Sequence, residues 1–399
     1  MALRSSRAVA VALVTFSAFT DIVAYAIAIP VLPDLSRRLG ASPTVIGLLF
    51  ASFGVTLVSV SIPAGALSDR AGRKAPLVGG SVALAVATML FVFAESLPWL
   101  FAARLVQGAA DAVAWVVGFA LVADLYAPEE RGRVAGIIMS GTSCAVMVGP
   151  SLGGWLYEVG GVQLPFTFVT LLATIAAAGF VWLDVGRAQV DREPVPVRLV
   201  VRTPAVAACA TAVILLASTL SMLEPVVALH LSARLGIGPA RIGYIFGAAA
   251  IATAILNPIY GRLADRYGAR RLTVLGLLLA GIALPALSFA WSYPAAVALY
   301  VLQASLSSLA ITASLAFMGE ATAQSGYGSF GTAYGLYNMA WGVGLLAGPA
   351  LGGFLFERIG FFHLTIAWAP ALIAMTVLLA RSYVTPRTPK ILTSATDAM

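Results

Sequence analysis

Asp21, Arg104, Asp111 and Glu224 each stand inside a long apolar block of the sequence. In lipid, an ionised side chain at a helix centre costs about 2.5–3.5 kcal/mol on insertion scales, so such residues mark functional sites by default. Asp21 follows Ser17 and precedes Tyr25 at steps of four, which makes one polar stripe on an otherwise apolar helix. A carboxyl in that setting can alternate between a proton and a cation, because desolvation favours its neutral form and a bound cation favours the charged one. The plainer role for Asp21 is a hydrogen bond to a neighbouring helix.

A second stripe is formed by Arg104, Gln107, Asp111 and Trp115, spaced 3, 4 and 4, which puts all four on one helix face. Arg104 and Asp111 are two turns apart, roughly 10 Å along the axis. They pair through their long side chains or through a third group, and Asp111 is either a proton carrier or half of a static ion pair. Glu224 directly precedes Pro225. Proline removes one backbone hydrogen bond and loosens the helix there, which suits an outer gate or a second proton carrier, whereas a glutamate reaching outer water is the simpler reading. Tyr334, Asn338 and Trp341 share a face further on, with Tyr337 beside them. Aromatic faces attract ammonium groups by roughly 0.5–2 kcal/mol each, so this face is either part of a cation cage or helix packing. Gln303, Ser307 and Ser314 form a weaker polar stripe.

The elements that must position these groups are membrane helices. Of 399 residues, 60% are hydrophobic and 10% charged, against roughly 25% charged in a soluble domain, and mean hydropathy is +0.95. The apolar residues arrive in blocks of the roughly 20 residues needed to cross a bilayer. Twelve spans are expected, near 8–33, 44–68, 75–95, 98–126, 132–157, 164–184, 204–231, 240–264, 272–292, 294–321, 329–356 and 362–383. The first is read as a retained span rather than a cleaved signal. A hydrophilic linker at 185–203 separates a six-helix half at 1–184 from another at 204–383, and a tail follows at 384–399.

An even span number puts both termini on one side. That side and the linker carry 18 of the 24 Lys and Arg, while Arg37, Arg38, Arg234, Arg241 and Arg358 lie opposite. The excess of basic residues predicts cytoplasmic termini in a cell inner membrane. The net charge of +7 is therefore topological, and no nucleic-acid face is formed. Cys144 and Cys209 fall in apolar segments as packing residues, and His230 and His363 lack the spacing of a metal pair. Neither a catalytic constellation nor a cofactor motif is present, so an enzyme is not expected. A monomer is.

The halves repeat. Gly65-Ala-Leu-Ser-Asp69-Arg70-Ala-Gly72-Arg73-Lys74 recurs as Gly261-Arg-Leu-Ala-Asp265-Arg266-Tyr-Gly268-Ala-Arg270, 196 positions later. Gly149-Pro150-Ser-Leu-Gly153-Gly154 recurs as Gly348-Pro349-Ala-Leu-Gly352-Gly353, 199 positions later. Copies of equal orientation predict a transporter whose site lies between two parallel halves at mid-membrane. Asp69, Arg70, Arg73 and Lys74 are expected to form a latch on the cytoplasmic side, with Asp69 meeting the other half. Gly65 is expected to allow close approach of spans, and Gly141, Gly149, Pro150, Gly153 and Gly154 to give span 5 a small face against the other half. Topogenic charge and plain helix packing are the respective alternatives.

At these motifs the chain resembles the major facilitator superfamily over essentially its whole length. The Gly65 to Lys74 stretch looks like the signature between spans 2 and 3, and Arg104-Leu-Val-Gln107-Gly108 like the span-4 motif. Gly141 through Gly154 is similar to the span-5 motif of its drug/proton antiporters. Met222-Leu223-Glu224-Pro225, Gly47-Leu-Leu-Phe-Ala-Ser52 and Gly348-Pro349-Ala-Leu-Gly352-Gly353 look like vesicular monoamine transporters, which suggests a bacterial relative of that group. The resemblance implies an all-α fold of twelve helices in two pseudo-symmetric halves, and export of an organic cation or lipophilic amine against inward proton flow. Phe53 stands where those carriers have a lysine, their span-10 acid falls near Ile311, and their span-11 acid is Asn338 here. Asp111 is the candidate to fill the vacant proton role.

The resulting expectation is a proton-coupled antiporter without a bound cofactor. Asp21, Tyr25, Gln107, Trp115, Glu224, Tyr334, Asn338 and Trp341 would hold the substrate, Asp21, Asp111, Glu224 and Arg104 would couple the proton, and Gly65, Asp69, Arg70, Arg73, Gly149 and Pro150 would serve gating. The competing expectation in the same architecture is a facilitator or symporter for a neutral or anionic metabolite, anchored by Arg104.

Overall fold

The computed structural model describes residues 7–183, 203–324 and 330–381. Apart from Thr203, the expected linker at 185–203 lies outside the described residues, as does the tail at 384–399. Among the described residues, eleven helices are long and apolar enough to cross a membrane. They are α1 (Arg7–Arg38), α2 (Pro43–Ala71), α3 (Lys74–Val92), α4 (Leu97–Leu125), α5 (Pro128–Gly160), α6 (Gln163–Trp182), α7 (Pro204–Leu235), α8 (Pro239–Tyr267), α9 (Ala269–Ala283, continued by a 3-10 segment Leu284–Phe289), α10 (Tyr293–Gln324) and a last helix, Phe330–Arg381. That helix runs 52 residues but has non-helical backbone at Gly360, with φ 74° and ψ 173°. Such a conformation excludes a Cβ, and the helix is far longer than the roughly 20 residues that span a bilayer. Gly360 therefore divides it into α11 (330–359) and α12 (361–381), in keeping with the twelve-span architecture.

Boundaries follow cap chemistry. Ser42 caps α2, accepting from the Val45 amide, and Pro43 occupies the first turn, where its missing N–H costs nothing. Pro239 opens α8 in the same way. The first span extends past the expected residue 33 to Arg38, through Pro30 and Pro33.

The helices form two groups. In the first, α1 packs on α5, α2 on α4, and α3 on α4 and α6. Fully buried Phe91 and Phe166 stack there at 4.6 Å between ring centres. In the second, α7 packs on α11, α10 on α8 and α9, and α9 on α12, around a core that includes Leu216, Leu277, Leu364 and Leu372. Two seams, α2 with α11 and α5 with α8, join the groups, and α1 adds a smaller contact with α7.

Both seams are built from glycine against backbone. A Cβ on Gly47 would meet the Pro349 carbonyl, and one on Gly243 would meet the Pro150 carbonyl; Gly353 and Gly154 leave similar room for Pro43 and Pro239. These contacts obey the repeat, with 243 lying 196 positions after 47, and 353 lying 199 after 154. Of the span-5 motif, Met147, Pro150, Ser151 and Gly154 face the other group. Gly141, Gly149 and Gly153 pack instead on Thr15, Ala26 and Ile27 of α1 in their own half, which corrects the expectation that the whole motif lies on the seam.

The seams close at one end only. We call the side holding the first described residues of α1 and the end of α12 the terminal face, and the opposite side the far face. Contacts run from the far face inward to Gly54 and Gly342, whereas Gly132, Gly136, Gly261 and Gly335, toward the terminal face, have nothing within 4 Å of a Cβ position. The structure is closed at the far face and parted at the terminal face.

Arg73 illustrates the parted side. Its guanidinium donates to Asp124 at 2.6 Å, to Ser68 at 2.6 Å and to Asp69 at 2.5 Å. Burial opposes its charge, but the bonds to Asp124 and Asp69 outweigh this and hold its pKa above the ordinary arginine value. Asp69 is thus engaged within its own half, with Arg70 exposed beside it, and among the described residues the expected meeting with the other half is not made in this state. A Cβ placed on Gly65 would meet Val116 of the same half at 3.4 Å, an ordinary contact. Arg73→Ala is expected to destabilise the chain by about 1–3 kcal/mol, because it leaves Asp124 partly buried without its charged partner. A lower melting temperature that Arg73→Lys restores only in part checks this, since lysine lacks the planar fork.

Candidate functional site

The polar stripes of α1 and α4 face each other. These helices run antiparallel, so Asp21 meets the later part of the α4 stripe and Tyr25 the earlier part. Asp21 is 1% exposed. Trp115 Nε1 donates to its Oδ2 at 3.3 Å, and Asp111, 6% exposed, lies beside it. Two carboxyls placed side by side away from water repel when both are charged, and a proton or a cation between them relieves that repulsion.

One turn further toward the far face, Tyr25 donates its hydroxyl to Glu224 Oε2 at 2.6 Å. This bond crosses from α1 to α7 and so joins the two halves through the site. The helix continues unbroken through Pro225, and Glu224 stands half-buried within the site rather than in outer water. Buried Tyr300 on α10 packs edge-on against Phe246 at 4.7 Å.

Arg104 is fully buried. It donates to Gln107 at 2.9 Å and lies under three rings, with its guanidinium carbon 4.9 Å from the centres of Phe50 and Phe53 and 5.4 Å from that of Tyr25. Ring faces stabilise a desolvated guanidinium by about 2 kcal/mol or more. No Arg104–Asp111 ion pair occurs among the described residues, so the static pair expected from the 104/111 spacing is not made. Aromatic faces take that role, because α2 brings Phe50 and Phe53 directly over Arg104, whereas Asp111, on the same face of α4, lies two turns, roughly 10 Å, further along the axis.

The α11 group is separate. Trp341 stacks on Tyr337 at 6.3 Å, and the Tyr337 hydroxyl bonds to Ser314 on α10 at 3.3 Å. Asn338 is exposed. Among the described residues, neither Asn338 nor Trp341 has a hydrogen bond or ring contact with the Asp21–Glu224 group. The side chain of Tyr334 lies outside the described residues. Phe50, Phe53 and Tyr300 were absent from the expected site. Their signal was present in the three-residue spacing of 50 and 53, and in the position of Tyr300 one turn before Gln303, but aromatics in an apolar helix are indistinguishable from packing until a charge is seen opposite them.

The cluster thus gathers three acids, Asp21, Asp111 and Glu224, against one guanidinium, with tyrosine, tryptophan and phenylalanine as walls. It lies between the halves, above the parted terminal face and below the closed far face.

Comparison with known proteins agrees with this architecture. The chain is 27% identical over 319 residues to the human synaptic vesicular amine transporter, covering 79% of this chain and 62% of that protein. It is 31% identical over 359 residues to the rat vesicular acetylcholine transporter, covering 84% of this chain and 66% of that one. The chain therefore spans less than two thirds of the length of these relatives. Among solved structures, a bacterial homolog of the human lysosomal transporter Spinster, described as inward-facing and unoccupied, superposes with a TM-score of 0.74 at 16% identity, over 95% of this chain and 96% of that one. The human organic anion transporter MFSD10 gives 0.68 at 18% identity, over 93% and 99%. The sequence profile of the Major Facilitator Superfamily matches residues 14–223 and 208–398, and on that match, together with the paired six-helix architecture, the chain belongs to the major facilitator superfamily.

Proposed function

We propose that this transporter is a proton-coupled antiporter that exports organic cations or lipophilic amines by alternating access. The observation that carries the proposal is the charge imbalance of the buried cluster. Asp21 and Asp111 lie side by side in one half, Glu224 of the other half joins them through Tyr25, and Arg104 lies against that same tyrosine, and buried charge without compensation is expensive. Two positive charges balance such a site, and protons and a cationic substrate supply them interchangeably. That exchange is the physical basis of antiport. Trp115 and Tyr25 give the cation aromatic surface beside the acids. The similarity to carriers named for amines and acetylcholine supports the same substrate class.

With the termini in the cytoplasm of a cell whose inner membrane holds the chain, the parted face is the cytoplasmic one, and this is the conformation that loads substrate for export. Arg104 serves as a fixed internal countercharge. Its cover of three rings makes it a poor anchor for an anionic metabolite, which disfavours the facilitator alternative.

The test is uptake of a fluorescent organic cation by proteoliposomes containing the full chain, with and without an imposed pH gradient. Accumulation driven by a proton gradient of the exchanging sign, and abolished by a protonophore, is expected. Transport indifferent to the gradient overturns proton coupling, and transport of anions in preference to cations overturns the substrate class.

A further inference from the structure

Two glutamates at the far face make the same contact with opposite halves. Glu158, in the last turn of α5, accepts from the backbone N–H of Ala240 at 3.0 Å. Glu357, at the end of α11, accepts from the backbone N–H of Thr44 at 2.8 Å and from the Ser42 hydroxyl at 2.8 Å. Thr44 and Ala240 are each the second residue of their helix, following Pro43 and Pro239. Proline at the first position has no N–H, so the second amide is the first free donor of the helix end, and that end carries partial positive charge. Each carboxylate is therefore seated on a helix N-terminus that belongs to the other half.

The two contacts are images of one another under the repeat. Position 357 lies 199 after 158, and 240 lies 196 after 44, the same offsets as the Gly-Pro and Gly-Asp motifs. Both also adjoin the glycine seams, where Gly154 faces Pro239 and Gly353 faces Pro43. Both glutamates are exposed at their helix ends, and no Lys or Arg forms an ion pair with either among the described residues. The contact between halves is thus their structural work.

We infer that Glu158 and Glu357 are paired latches that hold the far face shut and release together when that face opens. Alternating access must break both seams at this end, and a solvent-exposed carboxylate on a helix end is strong enough to bias the closed state and weak enough to let go. The pair is unequal by one detail. Position 238, the counterpart of Ser42, is glycine, so the Glu158 latch lacks the hydroxyl donor and is the weaker. Gly238 also makes room for its partner, because a Cβ there would stand 2.5 Å from Glu158 Oε1.

The inference rests on alternating access and not on the substrate proposed above. Its test is the separation of spin labels at Gln163 and Trp291, which stand at the far-face ends of opposite halves, in the full chain in nanodiscs with Cys144 and Cys209 replaced by serine. E158Q and E357Q are each expected to raise the open-to-closed ratio at the far face by about two- to fivefold, and the double variant by about the product. Gly238→Ala is expected to reproduce E158Q with the charge intact, and Ser42→Gly to weaken E357 toward the level of its counterpart. Melting temperatures close to the parent's show that the variants are folded. An unchanged label distribution in the folded double variant overturns the latches. If cation uptake fails in the parent while the labels respond as described, the substrate proposal falls and the latches stand.

Discussion

Asp21→Asn is expected to abolish gradient-driven exchange, with uptake falling at least a hundredfold. Asparagine is nearly isosteric and keeps an oxygen for the Trp115 indole N–H, now 3.3 Å from the carboxylate, so the α1–α4 contact survives. What is lost is the ability to trade a proton for a cation. A buried charge deprived of its partner loses about 3–5 kcal/mol, and a bound cation facing asparagine is in that position. On the proposed mechanism Asp111 beside it is not expected to substitute fully, because two adjacent carboxyls that repel titrate as a coupled pair and a single acid lacks that coupling. The measurement is initial uptake in proteoliposomes with an imposed pH gradient, alongside the same assay on Asp21→Glu. Near-normal exchange by Asp21→Asn sinks the assignment of Asp21. Equal loss in Asp111→Asn identifies the pair as the coupling unit.

Gly54→Val is expected to wedge the far face open and stall the transport cycle. A Cβ at this position stands 2.7 Å from the Leu346 amide nitrogen and 2.9 Å from its Cα. Backbone cannot swing aside as a side chain can. Overpacking of this kind costs about 1–3 kcal/mol, which corresponds to about a 5- to 150-fold shift away from the closed far face. The cost falls on the contact between α2 and α11, while the cores of the two halves do not pass through Gly54. A folded protein with an altered equilibrium is therefore the outcome, visible as a longer Gln163–Trp291 label distance together with loss of steady-state uptake. Gly54→Ala should shift the equilibrium less. A Gly54→Val chain that transports normally would show that α2 and α11 do not approach this closely during the cycle.

The sequence by itself determined the helices, their number and the repeat. Bilayer thickness fixes the length of an apolar block, and two motifs at offsets of 196 and 199 leave little freedom in pairing the halves. It also determined which face of α4 is polar, because the 3.6-residue period places Arg104, Gln107, Asp111 and Trp115 together regardless of what they touch. The merged helix at Phe330–Arg381 shows the same economy: one glycine at 360, between two blocks of bilayer length, is enough to turn the chain.

Partners across helices were decided only by the tertiary structure. Periodicity gives the direction of a side chain but not the rotation and depth of the helix opposite, and a shift of one turn moves a contact by 5.4 Å. The Tyr25–Glu224 bond, the ring cover of Arg104 and the separation of Trp341 from the acids all depend on that depth. The same holds for Glu158 and Glu357. As residues they read as ordinary charges near helix ends, and they gain a role only because the parallel halves, tilted shut at the far face, bring each one to the first free amide of a helix in the other half.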